Sequence, residues 1–496
     1  MSLWTEIINT ALIGCERKSL SLSPPADKLG GLLARFDQND REGALLGAAA
    51  VVSLYERAGR LPLKDARPLP EACDPDDAPR CSERAMIHLA MMLRGEYQDL
   101  LPEWLAKVAS AGQRAPEELL PPLLELGHVK PEFYEFITPT LGRRGRWLAA
   151  HNPDWRYAAS SDEETFWENN KLAHKREFLE LLRKQDPARA RALLSKVWEQ
   201  ETPKDRAEYL RLFTHGLSSD DEPLLERALD GQWSLVRDPA ASLLAALPDS
   251  AFVGRMIERA QQFVSFRQTK RGKVEIEIIL PAERDAGMIR DGITKTIFSQ
   301  PGERAGWLQQ ILEKLPLGRW QDWLQKTPQE LLKIAQQSEW KDVLMNAWRQ
   351  AAARSGDVEW IECLMAVGKK NEGIVKMLAA LPLVQREKAL ANLLQKAFSS
   401  DSWEVFSSVL NLRRWQWSEE FSRQVISGVC LRIEKLPDWM WRDFFTKIAC
   451  CLNHRTLSEA SIELIAAAQR LTKRAQLDRF LGYLLFRHEM LKEINQ

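Results

Sequence analysis

The strongest constraint on the fold is a pattern that marks the end of a helix and occurs four times in the chain. Each copy closes a stretch of 3.6-residue apolar periodicity with two aliphatic residues three positions apart, followed by proline. The copies are Leu244–Pro248, Leu312–Pro316, Leu378–Pro382 and Ile433–Pro437. Because proline forces the residue before it out of the α conformation, a helix must end at each of these positions. Their unequal spacing indicates degenerate helical pairs rather than a strict repeat.

Helix starts are equally well marked. Thr327 with Glu330 and Ser219 with Glu222 have the spacing of capping boxes, and Pro328 can occupy the first helical position. Short amphipathic helices also follow one another through residues 171–250, and helices of this length must stack on neighbours to bury their apolar faces. We therefore predict a mainly α fold, a HEAT-like α-solenoid of stacked helical pairs.

One segment departs from helical periodicity. Within Phe263–Pro281, the apolar residues Val274, Ile276 and Ile278 alternate with glutamates, which is the period-2 pattern of a β-strand. We predict a small β hairpin inserted between helical regions. The predicted domains are an N-terminal helical domain (residues 1–157), HEAT-like helical repeats (158–262), the β-hairpin insertion (263–300) and tryptophan-rich C-terminal helical repeats (301–496).

Charge and cysteine content restrict the cellular context. The chain carries 69 Lys and Arg against 69 Asp and Glu, so no net field favours nucleic acid or anionic lipid. The most apolar window, residues 44–55, is too short to cross a bilayer, and residues 1–20 lack a signal-peptide pattern. Seven cysteines are too few, and odd in number, for a disulfide framework. We predict a cytoplasmic protein without membrane association.

No sequence motif supports catalysis. Cys73, Cys81 and His88 have neither the spacing nor the fourth ligand of a structural zinc site, and there is no HExxH motif. No GxxxxGK[ST] or GxGxxG loop is present to hold phosphates. The prediction is therefore a protein that is not an enzyme, has no cofactor or metal, and neither binds nor hydrolyses ATP. A metal-dependent hydrolase is the least favoured alternative.

Two basic segments are candidate binding surfaces. Within residues 142–157, three arginines at positions 143, 144 and 146 can bind carboxylates or phosphates bidentately, and two tryptophans lie around an Asn-Pro-Asp turn. The candidate partner-binding residues there are Arg143, Arg144, Arg146, Trp147, Asp154 and Trp155. The structural alternative is a domain junction with packed tryptophans and ion-paired arginines. The candidate basic patch of the hairpin region comprises Arg267, Lys270, Arg271 and Lys273.

Tryptophans are concentrated in the C-terminal half. Trp415 and Trp417, like Trp439 and Trp441, lie two positions apart and cannot share one face of a helix. We expect one member of each pair at the surface, where tryptophan commonly anchors a protein partner.

Three segments together resemble a known family. Residues 4–17, 142–155 and 225–248 are similar to a bacterial family of HEAT-like helical proteins without an assigned activity. Its members are typically encoded beside MoxR-type AAA+ ATPases, von Willebrand factor A-domain proteins and SWIM zinc-finger proteins. The resemblance implies an AAA+ ATPase and a von Willebrand factor A-domain protein as partners, in a chaperone-like or defence system. It supplies no catalytic residues.

Two functional hypotheses follow. The first is a non-enzymatic α-solenoid scaffold or adaptor that acts with these partners. The second is a nucleic-acid-binding HEAT-like protein, comparable to helical-repeat DNA glycosylases, that uses the two basic segments on phosphates. Zero net charge disfavours the second hypothesis, although a solenoid can segregate its charge to one face.

Overall fold

The chain divides into two compact units, Met1–Ala72 and Cys73–Gln496. The computed structural model describes residues 3–21, 28–58, 70–159, 163–268, 274–295, 302–367, 373–397, 400–412, 415–432, 444–468 and 474–494. The division falls within the proline-rich stretch after residue 60. The boundaries predicted after residues 157, 262 and 300 all lie within the second unit. They divide its helices into groups, and this grouping stays a prediction.

The first unit is a small helical body. Its helices are α1 (Leu3–Ile13), α2 (Lys28–Leu33) and α3 (Arg41–Ala58). Both α1 and α2 pack on α3. They bury a core of their own, to which each helix contributes: Ile7, Leu29, Leu33, Ala48 and Val52.

Among the described residues, the second unit contains the remaining helices and one hairpin. Its first part comprises α4 (Glu83–Leu93), α5 (Leu101–Ser110), α6 (Leu120–Val129), α7 (Tyr134–Ile137), α8 (Gly142–His151), α9 (Glu163–Asn169), α10 (Leu172–Gln185), α11 (Pro187–Val197), α12 (Pro203–Arg211), α13 (Glu222–Leu229), α14 (Ser234–Leu244), α15 (Ala251–Phe263), β1 (Val264–Gln268) and β2 (Val274–Ile278). Its second part comprises α16 (Ala286–Arg290), α17 (Glu303–Leu312), α18 (Leu317–Leu324), α19 (Pro328–Gln336), α20 (Lys341–Ser355), α21 (Val358–Val367), α22 (Ile374–Ala380), α23 (Leu383–Ala397), α24 (Ser400–Leu412), α25 (Glu419–Arg432), α26 (Phe445–Cys451), α27 (Leu457–Ala468) and α28 (Arg474–Ile494).

The prediction of a mainly helical chain is confirmed. Three of the four proline-terminated stretches end helices, because α14 ends at Leu244, α17 at Leu312 and α22 at Ala380. The fourth, residues 433–437, lies outside the described residues. No helix among the described residues is long and apolar enough to span a membrane.

The two predicted capping boxes have different outcomes. At the start of α19 the box is present, since the Glu330 amide donates to Thr327 Oγ1 and the Thr327 amide donates to the Glu330 carboxylate. The box before α13 is shifted by one position and is made by Ser218 with Asp221. The reason is that a 3-10 turn at residues 219–221 precedes α13, so the chain becomes helical earlier than the sequence pattern predicts.

The predicted β hairpin is also confirmed, as an antiparallel pair of β1 with β2. Phe266 pairs with Ile276 on an apolar face, and Arg267 pairs with Glu275 on the exposed face. The apolar face packs against the protein, because β1 contacts α15, β2 contacts α19, and the Phe266 ring lies 6.2 Å from that of Trp323. The hairpin is therefore part of the packed second unit rather than a free arm.

Helices of the second unit contact each other in rows. In one row α15 packs on α17, α17 on α20, α20 on α22, and α22 on α24. In a second row α23 packs on α25, α25 on α27, and α27 on α28. One continuous hydrophobic core runs from Cys81 to Ile494. Helix α28 then contacts α4 and α5, so the last helix of the unit packs on its first two.

Several C-terminal tryptophans belong to this core. Trp320, Trp348 and Trp360 are fully buried. Trp417 is also buried and Trp415 is half-buried. Both lie in a non-helical segment before α25, so the assumption that this pair lies on a helix is wrong. Trp439 and Trp441 lie outside the described residues.

Candidate functional site

The predicted arginine segment begins with a helix that an aspartate caps from outside. Gly142 starts α8 with a φ of +62°, a conformation that favours glycine. The Asp76 carboxylate accepts hydrogen bonds from the backbone amides of Arg143 and Arg144. A Cβ atom on Gly142 would collide with that carboxylate. The glycine and the aspartate together fix the backbone from which the arginine side chains extend.

Acidic side chains surround these arginines. Arg143 forms an ion pair with Asp77, and Arg144 lies 3.7 Å from Glu117. The Glu117 carboxylate also accepts a 2.7 Å hydrogen bond from Arg114, and mainly for this reason its pKa is lowered to about 2. Glu117 therefore stays ionised beside the segment. Even so, the side chains of Arg143 and Arg144 are each about half exposed, at 51% and 52%.

The remaining candidate residues of the segment divide into packed and exposed groups. Arg146 and Asp154 are exposed. Trp147 is half-buried, with its ring centroid 4.5 Å from that of His151. Trp155 packs partly on the core and donates a 3.0 Å hydrogen bond from Nε1 to Glu125. With Arg156, which is exposed as well, the segment thus presents four arginines and one carboxylate to solvent, while both tryptophans are half-buried.

Tyr157 and His174 anchor the end of this segment. The buried Tyr157 hydroxyl donates to the Leu124 carbonyl at 2.9 Å, and its ring stacks on that of His174 at 4.8 Å. His174 Nε2 lies 3.1 Å from the Gly127 carbonyl oxygen and therefore carries a proton that it donates. Burial is the main cause of a pKa of His174 below its ordinary value of 6.5. The imidazole is accordingly held neutral in the folded protein.

We expect acidification below pH 6.5 to destabilise the fold through His174. In that range the unfolded chain binds a proton at this histidine and the folded chain does not, so the free energy of unfolding falls as the pH falls. Thermal melting between pH 7.5 and 5.5 measures the effect. His174→Gln should lose less stability over this range than the wild type, whereas His454→Gln, at an exposed histidine, should behave like the wild type. Equal pH slopes for all three proteins would contradict this account.

Only part of the second predicted basic patch can be placed. Arg267 is 65% exposed, and it lies 3.1 Å from Glu277 and 3.9 Å from Glu275 across the hairpin. Its charge is therefore balanced by two carboxylates. Residues 270, 271 and 273 fall outside the described residues.

A cavity of about 730 Å³ in the second unit has no counterpart among the sequence predictions. Its walls come from α5 on one side and from residues 415–416 and 450–454 on the other. Apolar groups such as Phe136 and Trp415 line it together with polar ones, a mixture typical of sites for small ligands or peptide side chains. Its polar lining includes Asp99, Glu103, Lys107, Gln416, Asn453 and His454. No local signal predicts it, because the two walls are more than 300 positions apart in the chain.

Arg487 of α28 forms hydrogen bonds to both walls of this cavity. Its side chain is fully buried, and its Nε and Nη2 donate to the two carboxylate oxygens of Glu103 at 2.6 and 2.8 Å. Nη1 donates to the backbone carbonyls of Ala449 and Leu452 at 2.8 and 2.7 Å. Nη2 also donates to Gln416 at 3.1 Å. One guanidinium thus connects α5 with the segments around α26.

The cysteines give no metal-binding arrangement among the described residues, where no group of three His, Cys, Asp or Glu side chains converges. All seven cysteines are free thiols. Burial raises the pKa of the Cys81 thiol to about 11, which disfavours the thiolate that zinc requires.

Comparison with known proteins identifies one family. Residues 6–494 match a family of unknown function, DUF5691. The chain belongs to this family. The match extends over both units, so the DUF5691 region includes most of α1 as well as the junction of α28 with α4 and α5. No curated protein and no solved structure matches the chain.

Proposed function

We propose that this chain is a non-enzymatic scaffold or adaptor, built as an α-solenoid of HEAT-like helical pairs. The observation that supports it is the pair of helix rows that share one continuous core through the second unit. Stacked helical pairs of this kind bury one face against their neighbours and leave long outer surfaces for binding. The work of such a protein is to hold partners, not to transform a substrate.

The proposed partners are a MoxR-type AAA+ ATPase and a von Willebrand factor A-domain protein, which cooperate in a chaperone-like or defence system in the cytoplasm. The proposal for these partners comes from the family resemblance of residues 4–17, 142–155 and 225–248. The chain would supply the platform, and the ATPase would supply the nucleotide hydrolysis.

The proposed docking surface is the exposed side of α8. Arg143, Arg144 and Arg146 present guanidinium groups to solvent, and each can bind a carboxylate through two parallel hydrogen bonds. Asp76 and Gly142 fix the start of the helix that carries them, so the backbone of this surface is ordered before binding. An acidic surface on the partner is the chemistry that fits.

We expect replacement of Arg143, Arg144 and Arg146 by alanine to abolish co-purification with the ATPase or the A-domain protein. The melting temperature should change by only a few degrees, because exposed ion pairs contribute about 0–1 kcal/mol each. Co-expression and affinity capture followed by thermal melting measure both quantities. A matched control replaces three other exposed arginines of the second unit, Arg189, Arg211 and Arg227, and should keep the partner.

Three outcomes would contradict the proposal. Retention of the partner by the α8 variant would show that this surface is not the docking site. Loss of the partner by both variants would show a requirement for net charge rather than for α8. Salt-dependent binding of DNA or RNA that the α8 variant weakens would favour the nucleic-acid hypothesis instead.

A further inference from the structure

A second, smaller cavity of about 250 Å³ lies beside the first turns of α14. Its opposite wall is the segment from Arg284 to Lys295, which carries α16. Three cationic side chains line it, Arg237, Arg284 and Lys295, against a single carboxylate from Asp238. None of these residues belongs to the surfaces predicted from sequence. The lining is therefore electrostatically suited to an anion.

The guanidinium of Arg237 has unused hydrogen-bonding capacity at this cavity. Its Nη1 donates to the Gly231 carbonyl at 3.3 Å, which fixes the side chain. Its Nε is buried and has no acceptor among the described residues. Arg284 is held similarly, because its Nη1 donates to the Ile293 carbonyl at 3.2 Å. No ion pair among the described residues involves Arg237 or Arg284, so the N–H groups that these carbonyls do not engage are left for an oxygen-bearing ligand.

The start of α14 adds to the attraction for anions. Ser234 is the first residue of this eleven-residue helix, and it lines the cavity. No side chain caps the helix N-terminus at Trp233. Amide groups of a first turn and the positive end of the helix dipole favour a bound anion.

Charges outside the lining also act on this cavity. Lys314 is buried, and burial lowers its pKa, as does the charge of Arg354, while Glu313 at 3.6 Å opposes the shift. Burial likewise lowers the pKa of Arg354 to about 10. The charges of Lys314 and Arg237 both act on Asp238, whose pKa is nevertheless raised by burial, the larger effect. In the lining itself, Asp238 is the single acid against three cationic residues.

We propose that this cavity binds a phosphate-class oxyanion. Arg237 and Arg284 hold the anion, and Lys295 adds a third positive charge. The volume suits inorganic phosphate or the phosphoryl group of a small phosphomonoester. Two arginines fixed by backbone carbonyls provide the planar donor pairs that match phosphate oxygens. The proposal is independent of the scaffold function, since it concerns the isolated chain.

The test is calorimetric titration of the full-length chain with inorganic phosphate at constant ionic strength. We expect saturable binding, weakened about tenfold or more by Arg237→Gln and by Arg284→Gln because each removes charge-assisted hydrogen bonds. Asp238→Asn should tighten binding, since it removes the repelling carboxylate. Arg267→Gln is the matched control, because it removes the same charge from an exposed, ion-paired position on the hairpin and should leave affinity unchanged.

Thermal melting of each variant shows whether it folds. Lys295→Gln changes an exposed residue and should leave the melting temperature nearly unchanged. Parallel titrations with glycerol phosphate and a nucleoside monophosphate distinguish free phosphate from a phosphomonoester as the ligand. Absence of saturable binding of all three compounds to the wild type would overturn the proposal. Equal weakening by Arg237→Gln and Arg267→Gln would overturn it too, because it would show a general charge effect.

Discussion

Replacement of Arg487 by alanine is expected to lower the free energy of unfolding of the second unit by about 3–5 kcal/mol. The truncation would leave the Glu103 carboxylate, at 17% exposure, without its two hydrogen bonds. The carbonyls of Ala449 and Leu452 would lose their donor at the same time. Breaking a buried ion pair from one side costs more than the pair itself contributes, because an uncompensated charge remains.

Urea unfolding measures this change, with Arg143→Ala as the control. Arg143 forms an exposed ion pair with Asp77, so its removal should cost about 0–1 kcal/mol. The double variant Arg487→Met with Glu103→Leu should recover part of the lost stability, because neither charge is then left alone. If Arg487→Ala and Arg143→Ala have equal effects, the contact between α28 and α5 contributes little to stability.

The second large effect is expected at Trp348, where alanine should cost about 3–5 kcal/mol through the cavity it leaves. The indole is completely buried between two others, with ring centroids 5.3 Å from Trp320 and 5.2 Å from Trp360. Aromatic pairs at these distances add to the free energy gained by burial. The loss should also affect the packing of α20 on its neighbours in the row.

A more conservative pair of variants separates packing from hydrogen bonding. Trp348 Nε1 has no hydrogen-bond acceptor among the described residues, whereas Trp360 Nε1 donates to Gln321 at 3.1 Å. Trp348→Phe should therefore cost less than Trp360→Phe, which also leaves an amide without its donor. Denaturant unfolding of all three variants provides the comparison. A cost for Trp348→Phe as large as that for Trp348→Ala would contradict the packing explanation.

Local elements of the fold were predictable because their signals lie within a few residues. The ends of α14 and α17 follow from prolines close behind them, and the hairpin follows from the alternation at residues 274–278. Even the shifted capping box is an error of one position. In each case steric or hydrogen-bonding rules act between near neighbours in the chain, so the pattern is visible in the sequence.

The candidate sites were less predictable because their geometry depends on distant partners. Nothing near Arg143 in the sequence shows that Asp76 caps its helix. Arg487 resembles any arginine on an amphipathic helix until α28 is placed against α5. The phosphate-class cavity likewise joins Arg237 and Lys295, which lie on separate segments. Sequence patterns identify residue types, but only the tertiary fold determines which charges meet.

The contact between α28 and the first helices of its unit has a consequence for synthesis on the ribosome. Arg487 follows Glu103 by 384 positions, so at roughly 5–20 residues per second the partner of that glutamate emerges tens of seconds later. The stacking contact of Tyr97 with Phe486, with ring centroids 4.2 Å apart, forms after a similar delay. During this interval α4 and α5 lack the cover that α28 provides, and a nascent-chain chaperone has access to them. Completion of the second unit is therefore set by the arrival of its last helix.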